Sequence, residues 1–536
     1  MPARASQGEA MTANLPRVTY SNIGADFRPL HDMLDRSIPA FEQRWLGRDW
    51  SNRIAGRSDD EGRRYPVVSP IDHGLALGSF VEAAPDAVGR AVEAAAAAWP
   101  RWSSLSWQER LKIMRRAAEL LDRRKYDLGI ACLIEVGKSR LEAIGEAEEA
   151  VDLMRYYCDE MERNEGFRRP MGRAFPQEET RDMLKPFGVF GVIAPFNFPL
   201  ALSVNMMSGA LIAGNTVVYK PSPAAGLTGS LLIDTLAEAG LPEGAVNLVC
   251  GGGEVGRALV DAPGLAGIAF TGSYATGMEI LRKLASGRHA RPAILEMGGK
   301  NPSYVTAKAD LATAAAGVMR SAFGLQGQKC SAGSKVYVAN DVRAEFLEQL
   351  VALSAQIKVG DPRRVENYMG PVIDRRAVER FEAAAAAARA EGEILLGGTR
   401  LTGGLFDKGT YVAPTIVTGL APDHAVNRDE LFLPFLSVLG YDDLGDAIDD
   451  GNDIAYGLTA GIYSEDEREL DFFFGRAEAG VLYANRASGA TTGAWPGIQT
   501  FAGWKGSGGP GGKGGLGPYY VQQFMREQSH TIMRKG

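Results

Sequence analysis

From Phe187 onward, short apolar runs alternate with helical segments. The runs read "GVFGVIAP", "TVVYK", "AVNLVC", "GIAF" and "AILEM", and between them lie segments such as "LALSVNMMSGALIAG", "GLTGSLLIDTLAEAG" and "ATGMEILRKLAS". Strands that are apolar on both faces and separated by helices form parallel sheets covered by helices. The chain is therefore predicted to have an α/β fold built on a parallel sheet.

The pattern repeats later in the chain and is preceded by a helical region. Residues 300–485 contain "NPSYVT", "KVYVAN", "GPVI" and "AGIYS", which predict the strands of a second α/β domain. From Pro85 to about Glu165 the sequence predicts helices, one of them opened by a capping box of Ser106 and Glu109. Residues 1–60 are expected to be irregular, and "GSGGPGGKGGLG" at 506–517 to be a flexible linker.

Composition excludes several classes of function. The net charge of −7 argues against nucleic acid as the main partner. No apolar run approaches the roughly 18 residues of a membrane span, and the first twenty residues lack the apolar core of a secretory signal. Neither a metal-binding set nor a disulfide framework is indicated by the spacing of the cysteines, which are Cys132, Cys158, Cys250 and Cys330. We therefore expect no metal, no membrane partner and a reducing cytoplasm.

Polar residues follow several predicted strands of the first sheet. Asn197, Lys220, Ser273 and Glu296 each stand at or just beyond a strand's carboxyl end, and Cys330 lies on a later loop. Because ligands of open parallel sheets bind at the carboxyl ends of the strands, these side chains are expected along one rim.

The set supports one particular chemistry. A thiolate attacks aldehydes, an asparagine amide stabilises the resulting oxyanion, and a carboxylate activates water to hydrolyse a thioester. Each residue also has a plainer interpretation: Cys330 as a buried apolar residue, Asn197 as a helix cap, Glu296 as a surface acid and Lys220 as a solvated strand end.

A glycine motif complicates the cofactor prediction. "GGGEVG" at Gly251–Gly256 follows a strand, as a dinucleotide-binding turn does. The next strand, "GIAF", ends in Thr271-Gly272-Ser273 without the acidic residue that usually holds the ribose. A standard Rossmann binding mode is therefore not favoured.

Several spaced motifs together resemble one family. "VIAPFNFP", "YKPSP", "FTGS", "LEMGGKNP", "GQKCSAGSKVYV", "DELFLP" and "FAGWKGSG" are similar to motifs of the NAD(P)-dependent aldehyde dehydrogenase superfamily, over about residues 60–530. The resemblance implies a parallel-sheet cofactor domain, an α/β catalytic domain and a small β oligomerisation element. It also implies that Cys330 is the nucleophile, Asn197 the oxyanion donor and Glu296 the base for deacylation.

The resemblance also implies a site for NAD or NADP. Lys220 would contact the adenosine ribose, Ser273 the pyrophosphate, and Glu430 and Phe432 the nicotinamide ribose and ring. The complete set of implied cofactor contacts is Ile193, Ala194, Lys220, Gly252, Gly256, Thr271, Gly272, Ser273, Glu430 and Phe432.

The chain departs from the family pattern near this site. Pro223 stands where the family often has a glutamate that holds the ribose hydroxyls, so NADP is expected beside NAD. Leu433 replaces a usual glycine and Phe196 a common tryptophan.

Two stretches favour one branch of the family. "SAFGLQGQKCSAGSKVYV" and "NRASGATTGAWPGIQTFAGWKGSG" are most similar to the 1-pyrroline-5-carboxylate dehydrogenase branch, which oxidises glutamate γ-semialdehyde to glutamate in proline catabolism. The implied substrate contacts are Phe198, Ser331, Thr492, Gly493, Ala494 and Phe501, with the 492–494 turn holding the α-carboxylate.

The alternative is a dehydrogenase for another aldehyde, aromatic or aliphatic, with Trp495, Phe198 and Phe501 lining an apolar funnel. A catalytically silent binding protein is disfavoured because Cys330, Glu296 and Asn197 are all present.

The resemblance also divides the chain. We expect an N-terminal extension at 1–60, a cofactor domain at 61–168 and 187–298, a catalytic domain at 299–505, and an oligomerisation element at 169–186 and 506–536. Since the last would present an open strand edge, the protein is expected to be a homodimer or a larger homo-oligomer.

Overall fold

The computed structural model describes residues 15–22, 24–487 and 494–535. Its helices are α1 (Arg28–Trp45), α2 (Pro85–Ser103), α3 (Trp107–Val136), α4 (Arg140–Arg163), α5 (Ala201–Ala213), α6 (Gly226–Glu238), α7 (Gly253–Asp261), α8 (Tyr274–Ala285), α9 (Leu311–Phe323), α10 (Arg343–Ser354), α11 (Arg375–Glu391), α12 (Ala425–Arg428), α13 (Leu444–Asn452) and α14 (Glu467–Arg476). Its strands are β1 (Arg48–Trp50), β2 (Asn52–Ile54), β3 (Arg57–Asp59), β4 (Gly62–Val68), β5 (Ala76–Ala83), β6 (Arg168–Pro170), β7 (Glu178–Pro186), β8 (Val189–Ile193), β9 (Thr216–Lys220), β10 (Val246–Leu248), β11 (Leu265–Thr271), β12 (Ala293–Glu296), β13 (Asn301–Val305), β14 (Gly333–Ala339), β15 (Glu393–Leu396), β16 (Thr415–Thr418), β17 (Phe435–Tyr441), β18 (Tyr456–Gly457), β19 (Thr459–Tyr463), β20 (Val481–Ala484), β21 (Trp504–Lys505) and β22 (Met525–Met533).

The first large sheet is the parallel sheet that the sequence predicts. Its strand order is β12-β11-β8-β9-β10-β2-β3, and β12 through β10 run parallel to one another. The chain moves outward from β8 to β10 and then returns to the other side of β8 as β11 and β12. A change of direction of this kind opens a crevice at the carboxyl ends of the two central strands, here β8 and β11.

A second α/β sheet follows in the chain. Its order is β15-β16-β17-β14-β13-β19-β20, parallel except at the edge strand β15. "NPSYVT", "KVYVAN" and "AGIYS" form β13, β14 and β19, as predicted. "GPVI" at 370–373 does not form a strand; it passes through an irregular segment before α11. An apolar run of that length cannot distinguish a strand from a buried loop.

A three-stranded sheet contains the C-terminal strand and has the order β22-β7-β6. The C-terminal strand pairs antiparallel with β7 along its whole length, from Met525 opposite Pro186 to Met533 opposite Glu178. Most of β22 is exposed. The pairing of these two segments agrees with the sequence prediction, whereas the division of the chain into domains stays a prediction.

Three segments differ from expectation. Residues 48–59, predicted to be irregular, form the strands β1, β2 and β3, because β1 pairs with β5 and β2 pairs with β10 at the edge of the first large sheet. Residues 28–45 form α1 rather than irregular structure, because Leu30, Leu34 and Phe41 recur at helical spacing and are buried. Residues 506–517 are not a loose linker: the Gly509 N–H donates to the Leu295 carbonyl at 3.1 Å, and Gly515 pairs with Phe501.

Within the described residues, no helix is both long enough and apolar enough to cross a bilayer.

Candidate active site

The loop that carries Cys330 begins with an unusual backbone turn. Leu325, Gln326 and Gly327 have φ angles of 48°, 55° and 65°, so consecutive residues adopt the left-handed conformation. For residues with a Cβ atom this conformation costs about 1–2 kcal/mol each. Gly327 is required for a second reason, because a Cβ atom there would lie 2.1 Å from the Leu433 carbonyl oxygen. The turn is therefore pressed against the segment that follows Glu430.

Two buried glutamines hold this turn. The Gln326 side chain donates to the Gly137 carbonyl at 3.1 Å, and Gln328 donates to the Gln326 side-chain oxygen at 3.3 Å. Gln328 also accepts a hydrogen bond from the backbone N–H of Ile373 at 2.9 Å. Because both side chains are fully buried, these bonds substitute for water and fix the path of the chain into Cys330.

Asn301 fixes Cys330 from the other side. Its amide nitrogen donates to the carbonyls of Cys330 at 2.7 Å and Ala332 at 2.9 Å. Its amide oxygen accepts from the Thr459 N–H at 3.0 Å. One buried side chain thus joins the start of β13, the loop before β14 and the start of β19.

Glu296 ends β12, where the sequence predicts it. The backbone N–H of Gly515 faces the carboxylate, and Gly508 forms an isolated bridge with the Glu296 backbone. Within the described part of the chain, Oε1 has no hydrogen-bond partner. Burial raises the pKa of Glu296 to about 7, with the Gly515 N–H acting in the opposite direction. The carboxyl is therefore poised to exchange a proton near neutral pH.

The Cys330 thiol lies within the electrostatic range of two carboxyl groups. Burial raises the pKa of Cys330 to about 12, and Glu296 and Glu430 add to the increase. The backbone N–H groups of Ser331 and Cys330 act in the opposite direction, so they face the sulfur. The thiol is thus protonated at neutral pH and needs a base to become a nucleophile.

Asn197 lies in the loop between β8 and α5 and is 3 % exposed. The plainer interpretation, that it caps α5, does not apply: the Glu146 Oε1 accepts from the N–H groups of Leu200 at 2.8 Å and Ala201 at 3.0 Å. Glu146 in turn pairs with Lys138 at 2.6 Å, and both side chains are fully buried. The amide of Asn197 is thus not engaged as the cap of α5.

The predicted cofactor residues gather along the rim of the first sheet. Lys220 ends β9, and its Nζ donates to the carbonyls of Pro221 at 2.9 Å and Gly251 at 3.2 Å. Burial lowers the pKa of Lys220 to about 8. Gly252 caps α7, and a Cβ atom on Gly256 would lie 3.6 Å from the Lys220 side chain.

The other cofactor residues lie at the switch between β8 and β11. Ile193 ends β8, and the Ala194 N–H donates to the Lys220 carbonyl at 3.1 Å. Thr271 ends β11, and the Gly272 N–H donates to the Glu296 carbonyl at 3.1 Å. Ser273 caps α8.

Glu430 and Phe432 lie over the turn that follows Glu296. Glu430 Oε1 accepts from the Gly299 N–H at 2.9 Å, and a Cβ atom on Gly298 would lie 2.0 Å from Oε2. Burial raises the pKa of Glu430 to about 7. Phe432 has a φ of 58°, and its ring meets the Phe196 ring edge-on at 5.8 Å.

The predicted substrate contacts are only partly visible. Thr492 and Gly493 lie outside the described residues, while Ala494 and Ser331 are buried. Phe501 is held by its N–H bond to Gly515 at 2.9 Å. Phe198 packs beneath the Lys138 ammonium, 3.6 Å from the ring centre.

Trp495 does not lie free in a funnel. Its indole N–H donates to the Asp152 carboxylate at 2.8 Å, and its ring packs edge-on against Tyr20 at 5.5 Å. With the side chain 7 % exposed, Trp495 is packed into the protein rather than free to stack on a ligand.

A cavity of about 410 Å³ reaches Lys329, the residue before Cys330 in the chain, and its wall contains charged residues that the sequence analysis did not select. Lys329 lines it and pairs with Glu142 at 3.2 Å. Glu142 shares one face of α4 with Glu146 and Glu149, because the spacings of four and three residues match helical periodicity. That row of acids in "LEAIGEAEEA" is the signal that could have revealed the cavity.

No cluster of three or more metal-ligating side chains is found among the residues that the structure describes.

Comparisons with known proteins agree with the geometry. The model of the "Aldehyde dehydrogenase family" matches residues 57–530. The 1-pyrroline-5-carboxylate dehydrogenase 1 of Halalkalibacterium halodurans is 34% identical over 494 residues, which are 91% of this chain and 94% of the relative. A solved structure of 1-pyrroline-5-carboxylate dehydrogenase from Thermus with bound NAD has a TM-score of 0.90 and 31% identity, covering 98% of this chain and 100% of that one. A structure of 3,6-anhydro-L-galactose dehydrogenase in complex with NAP has a TM-score of 0.84 and 30% identity, covering 90% of this chain and 100% of that one.

The contacts of Asn301 generate the first prediction. Asn301→Ala leaves two buried carbonyls and one buried N–H unpaired, which should lower the free energy of unfolding by about 3 kcal/mol. The Cys330 loop should also lose its fixed position, so alkylation of Cys330 by iodoacetamide should change in rate while the protein is still folded. Denaturant unfolding and mass spectrometry of the alkylated cysteine measure the two effects.

Asn340→Ala is the matched control, because Asn340 bonds to Asp442 at an exposed position. It should change neither quantity appreciably. Equal results for the two variants would show that Asn301 does not hold the Cys330 loop.

Proposed function

The chain belongs to the aldehyde dehydrogenase family, and from that premise we propose that it oxidises glutamate γ-semialdehyde, the open form of 1-pyrroline-5-carboxylate, to glutamate. The observation that carries the substrate assignment is the cavity that reaches Lys329, the residue before Cys330, because its wall offers Lys329 and Glu142 together. A substrate with both an α-carboxylate and an α-ammonium group matches a wall that holds a cation and an anion. The names of the relatives support the same assignment.

The enzyme uses NAD or NADP, and the residues of the rim suit such a cofactor. The N-terminus of α8, opened by Gly272 and Ser273, presents backbone N–H groups that would hold the pyrophosphate. Lys220 would hold the adenosine ribose, and the buried carboxyl of Glu430 would hold the nicotinamide ribose. A Cβ atom at Gly272 would lie 2.5 Å from the Phe270 ring, so glycine is needed for the backbone to pass this close to the ring. When bound, the nicotinamide supplies the acceptor for a hydride.

In the first half of the proposed reaction, Glu296 takes the proton of the Cys330 thiol. The sulfur then attacks the aldehyde carbon, and the carbonyl oxygen becomes an oxyanion. The Asn197 amide and the backbone N–H of Cys330 would donate hydrogen bonds to that oxygen. Departure of the aldehyde hydrogen as a hydride converts the thiohemiacetal on Cys330 into a thioester.

In the second half, Glu296 must act again as a base. It first releases the proton from the thiol to solvent, and then accepts one from a water molecule that attacks the thioester carbon. The carbon–sulfur bond breaks, the carboxylic acid leaves as a carboxylate, and the Cys330 sulfur regains a proton. The raised pKa of Glu296 suits this double role, because a base with a pKa near the working pH both accepts and releases protons.

The second prediction concerns Glu296. In Glu296→Gln, loss of the base should slow the burst of about one NAD(P)H per active site, and it should lower the steady-state rate by a larger factor, at least about 100-fold relative to the wild type, since general-base catalysis contributes about 10²–10⁴-fold. With burial raising the pKa of Glu296 to about 7, the wild-type rate should rise as the pH increases through 7, and this rise should vanish in the variant. Stopped-flow and steady-state absorbance at 340 nm measure both.

Glu279→Gln is the control, because Glu279 lies on the exposed face of α8. A burst and a steady-state rate that fall by the same factor in Glu296→Gln would remove Glu296 from deacylation.

The third prediction concerns the substrate. Among glutamate γ-semialdehyde, succinate semialdehyde, pentanal and benzaldehyde, the first should have the highest kcat/KM. Hydrogen bonds to charged groups contribute about 1.5–3 kcal/mol each, so its advantage over pentanal should exceed about tenfold. Cys330→Ala should abolish oxidation of all four, whereas Cys132→Ala, a change in the buried core away from the rim, should preserve it.

Benzaldehyde or pentanal as the best substrate would instead favour the alternative function, oxidation of a neutral aldehyde. The likeness to 3,6-anhydro-L-galactose dehydrogenase supports testing that alternative, because a protein of similar fold is named for a different substrate. The burial of Trp495 and its bond to Asp152 argue against aromatic stacking as the basis of selection.

The fourth prediction concerns cofactor choice. Pro223 is exposed and begins the turn Pro223–Ala225 just beyond Lys220. A carboxylate at this position would repel a 2′-phosphate and accept ribose hydroxyl bonds. Pro223→Glu should therefore shift the ratio of kcat/KM toward NAD⁺ by roughly tenfold, since a like-charge contact costs about 1 kcal/mol even in water. Pro223→Gln introduces a side chain of the same size as glutamate but without the charge. A similar shift of the kcat/KM ratio in that variant would refute the electrostatic explanation.

We further propose a homo-oligomer and a cytoplasmic location. The exposed strand β22 at the edge of its sheet is a surface that a second copy can pair with. Cys132, Cys158, Cys250 and Cys330 are all free thiols, as is usual in a reducing compartment.

A further inference from the structure

The segment before α1 contributes a buried aromatic side chain to the site. Tyr20 is 8 % exposed, and its hydroxyl donates to Glu149 Oε2 at 2.6 Å. Its ring meets Phe198 edge-on at 6.4 Å and Trp495 edge-on at 5.5 Å. Tyr20 therefore connects Phe198 and Trp495, which follow Asn197 and Ala494 on two loops that are far apart in sequence.

The same side chain lines the cavity that reaches Lys329. Tyr20 forms part of its wall together with Glu142 and Lys329. The wall is thus built from α4, from the loop before Cys330 and from the start of the chain. A residue at this place limits the width of whatever enters the cavity.

Neighbouring residues hold Tyr20 in place. Arg17 forms ion pairs with Glu148 at 3.3 Å and with Asp152, and its guanidinium lies 5.7 Å from the centre of the Trp495 ring. The Thr19 N–H donates to the Asn22 side chain at 2.7 Å, which closes a turn around Tyr20. The segment is fixed on α4 by charge and packing.

We propose that Tyr20 is a specificity-determining residue, and that the N-terminal segment serves as a wall of the aldehyde pocket. The inference rests on the proposed function, because it takes the cavity at Lys329, which precedes Cys330 in the chain, as the place where the substrate binds. The Tyr20 ring, held between Phe198 and Trp495, would narrow this pocket, so that a slender, unbranched semialdehyde fits and a ring does not.

The test compares Tyr20→Leu, Tyr20→Phe and Tyr337→Phe in the full chain. Leucine keeps an apolar residue in the core but leaves space where the ring was. Tyr20→Leu should raise KM for glutamate γ-semialdehyde at least fivefold with a smaller change in kcat, and should raise kcat/KM for benzaldehyde relative to pentanal at least fivefold. Tyr20→Phe keeps the ring and should change both ratios less than threefold.

Tyr337→Phe is the matched control for loss of a buried tyrosine–carboxylate bond, because the Tyr337 hydroxyl donates to Asp450. It should lower the thermal stability without changing either substrate ratio. Inhibition by glutamate, the product of the proposed reaction, gives an equilibrium measure: its inhibition constant should rise in Tyr20→Leu and not in Tyr337→Phe.

A uniform decrease in kcat/KM for every aldehyde in Tyr20→Leu, or unchanged ratios, would overturn the proposal and leave Tyr20 a structural residue. The proposed function is judged separately, from the wild-type ranking of substrates. If the wild type prefers pentanal, the glutamate semialdehyde assignment fails, while the benzaldehyde-to-pentanal ratio in Tyr20→Leu still decides whether Tyr20 sets the width of the pocket.

Discussion

The position of the Cys330 sulfur depends on the left-handed turn just before it. Leu325, Gln326 and Gly327 adopt a conformation that is costly outside glycine, and it persists because Gln326 is bonded within the buried core and Gly327 lies against the Leu433 carbonyl. This turn brings the cysteine loop of the second sheet against the segment that carries Glu430. Relaxing it would move the sulfur away from the rim of the first sheet, where Glu296 ends β12.

Burial of charge is the second constraint on the site. Glu296 and Glu430 each have a pKa raised to about 7 by burial, and both lie beside the Cys330 thiol. Holding carboxyl groups in such surroundings costs free energy when they ionise. The same cost makes Glu296 able to exchange protons near neutral pH. The acid row on α4 is similarly buried but fully paired, since Glu146 binds Lys138 and caps α5.

Much of the fold and of the rim could be predicted from the sequence. The strands β8, β9, β11 and β12 are apolar on both faces, and their carboxyl ends must share one edge of a parallel sheet, so the grouping of Asn197, Lys220 and Glu296 followed. The helix α1 was missed because its apolar spacing is diluted by charged residues. The 506–517 segment was wrongly predicted to be a flexible linker. Its glycine content shows that the backbone can adopt many conformations, but not that backbone contacts with a neighbour such as Glu296 fix one of them.

By itself the sequence determined the parallel α/β class, the reactive residue types and their order along the chain, because apolar periodicity and the chemistry of side chains are local properties. Only the tertiary structure decided which residues form the pocket around them. Tyr20 and Trp495 are hundreds of residues apart, and Glu142 and Lys329 are also far apart, yet each pair is in contact. Such contacts arise from the packing of α4 against the N-terminal segment, the loop before Cys330 and the loop that carries Trp495, and no local pattern encodes that packing.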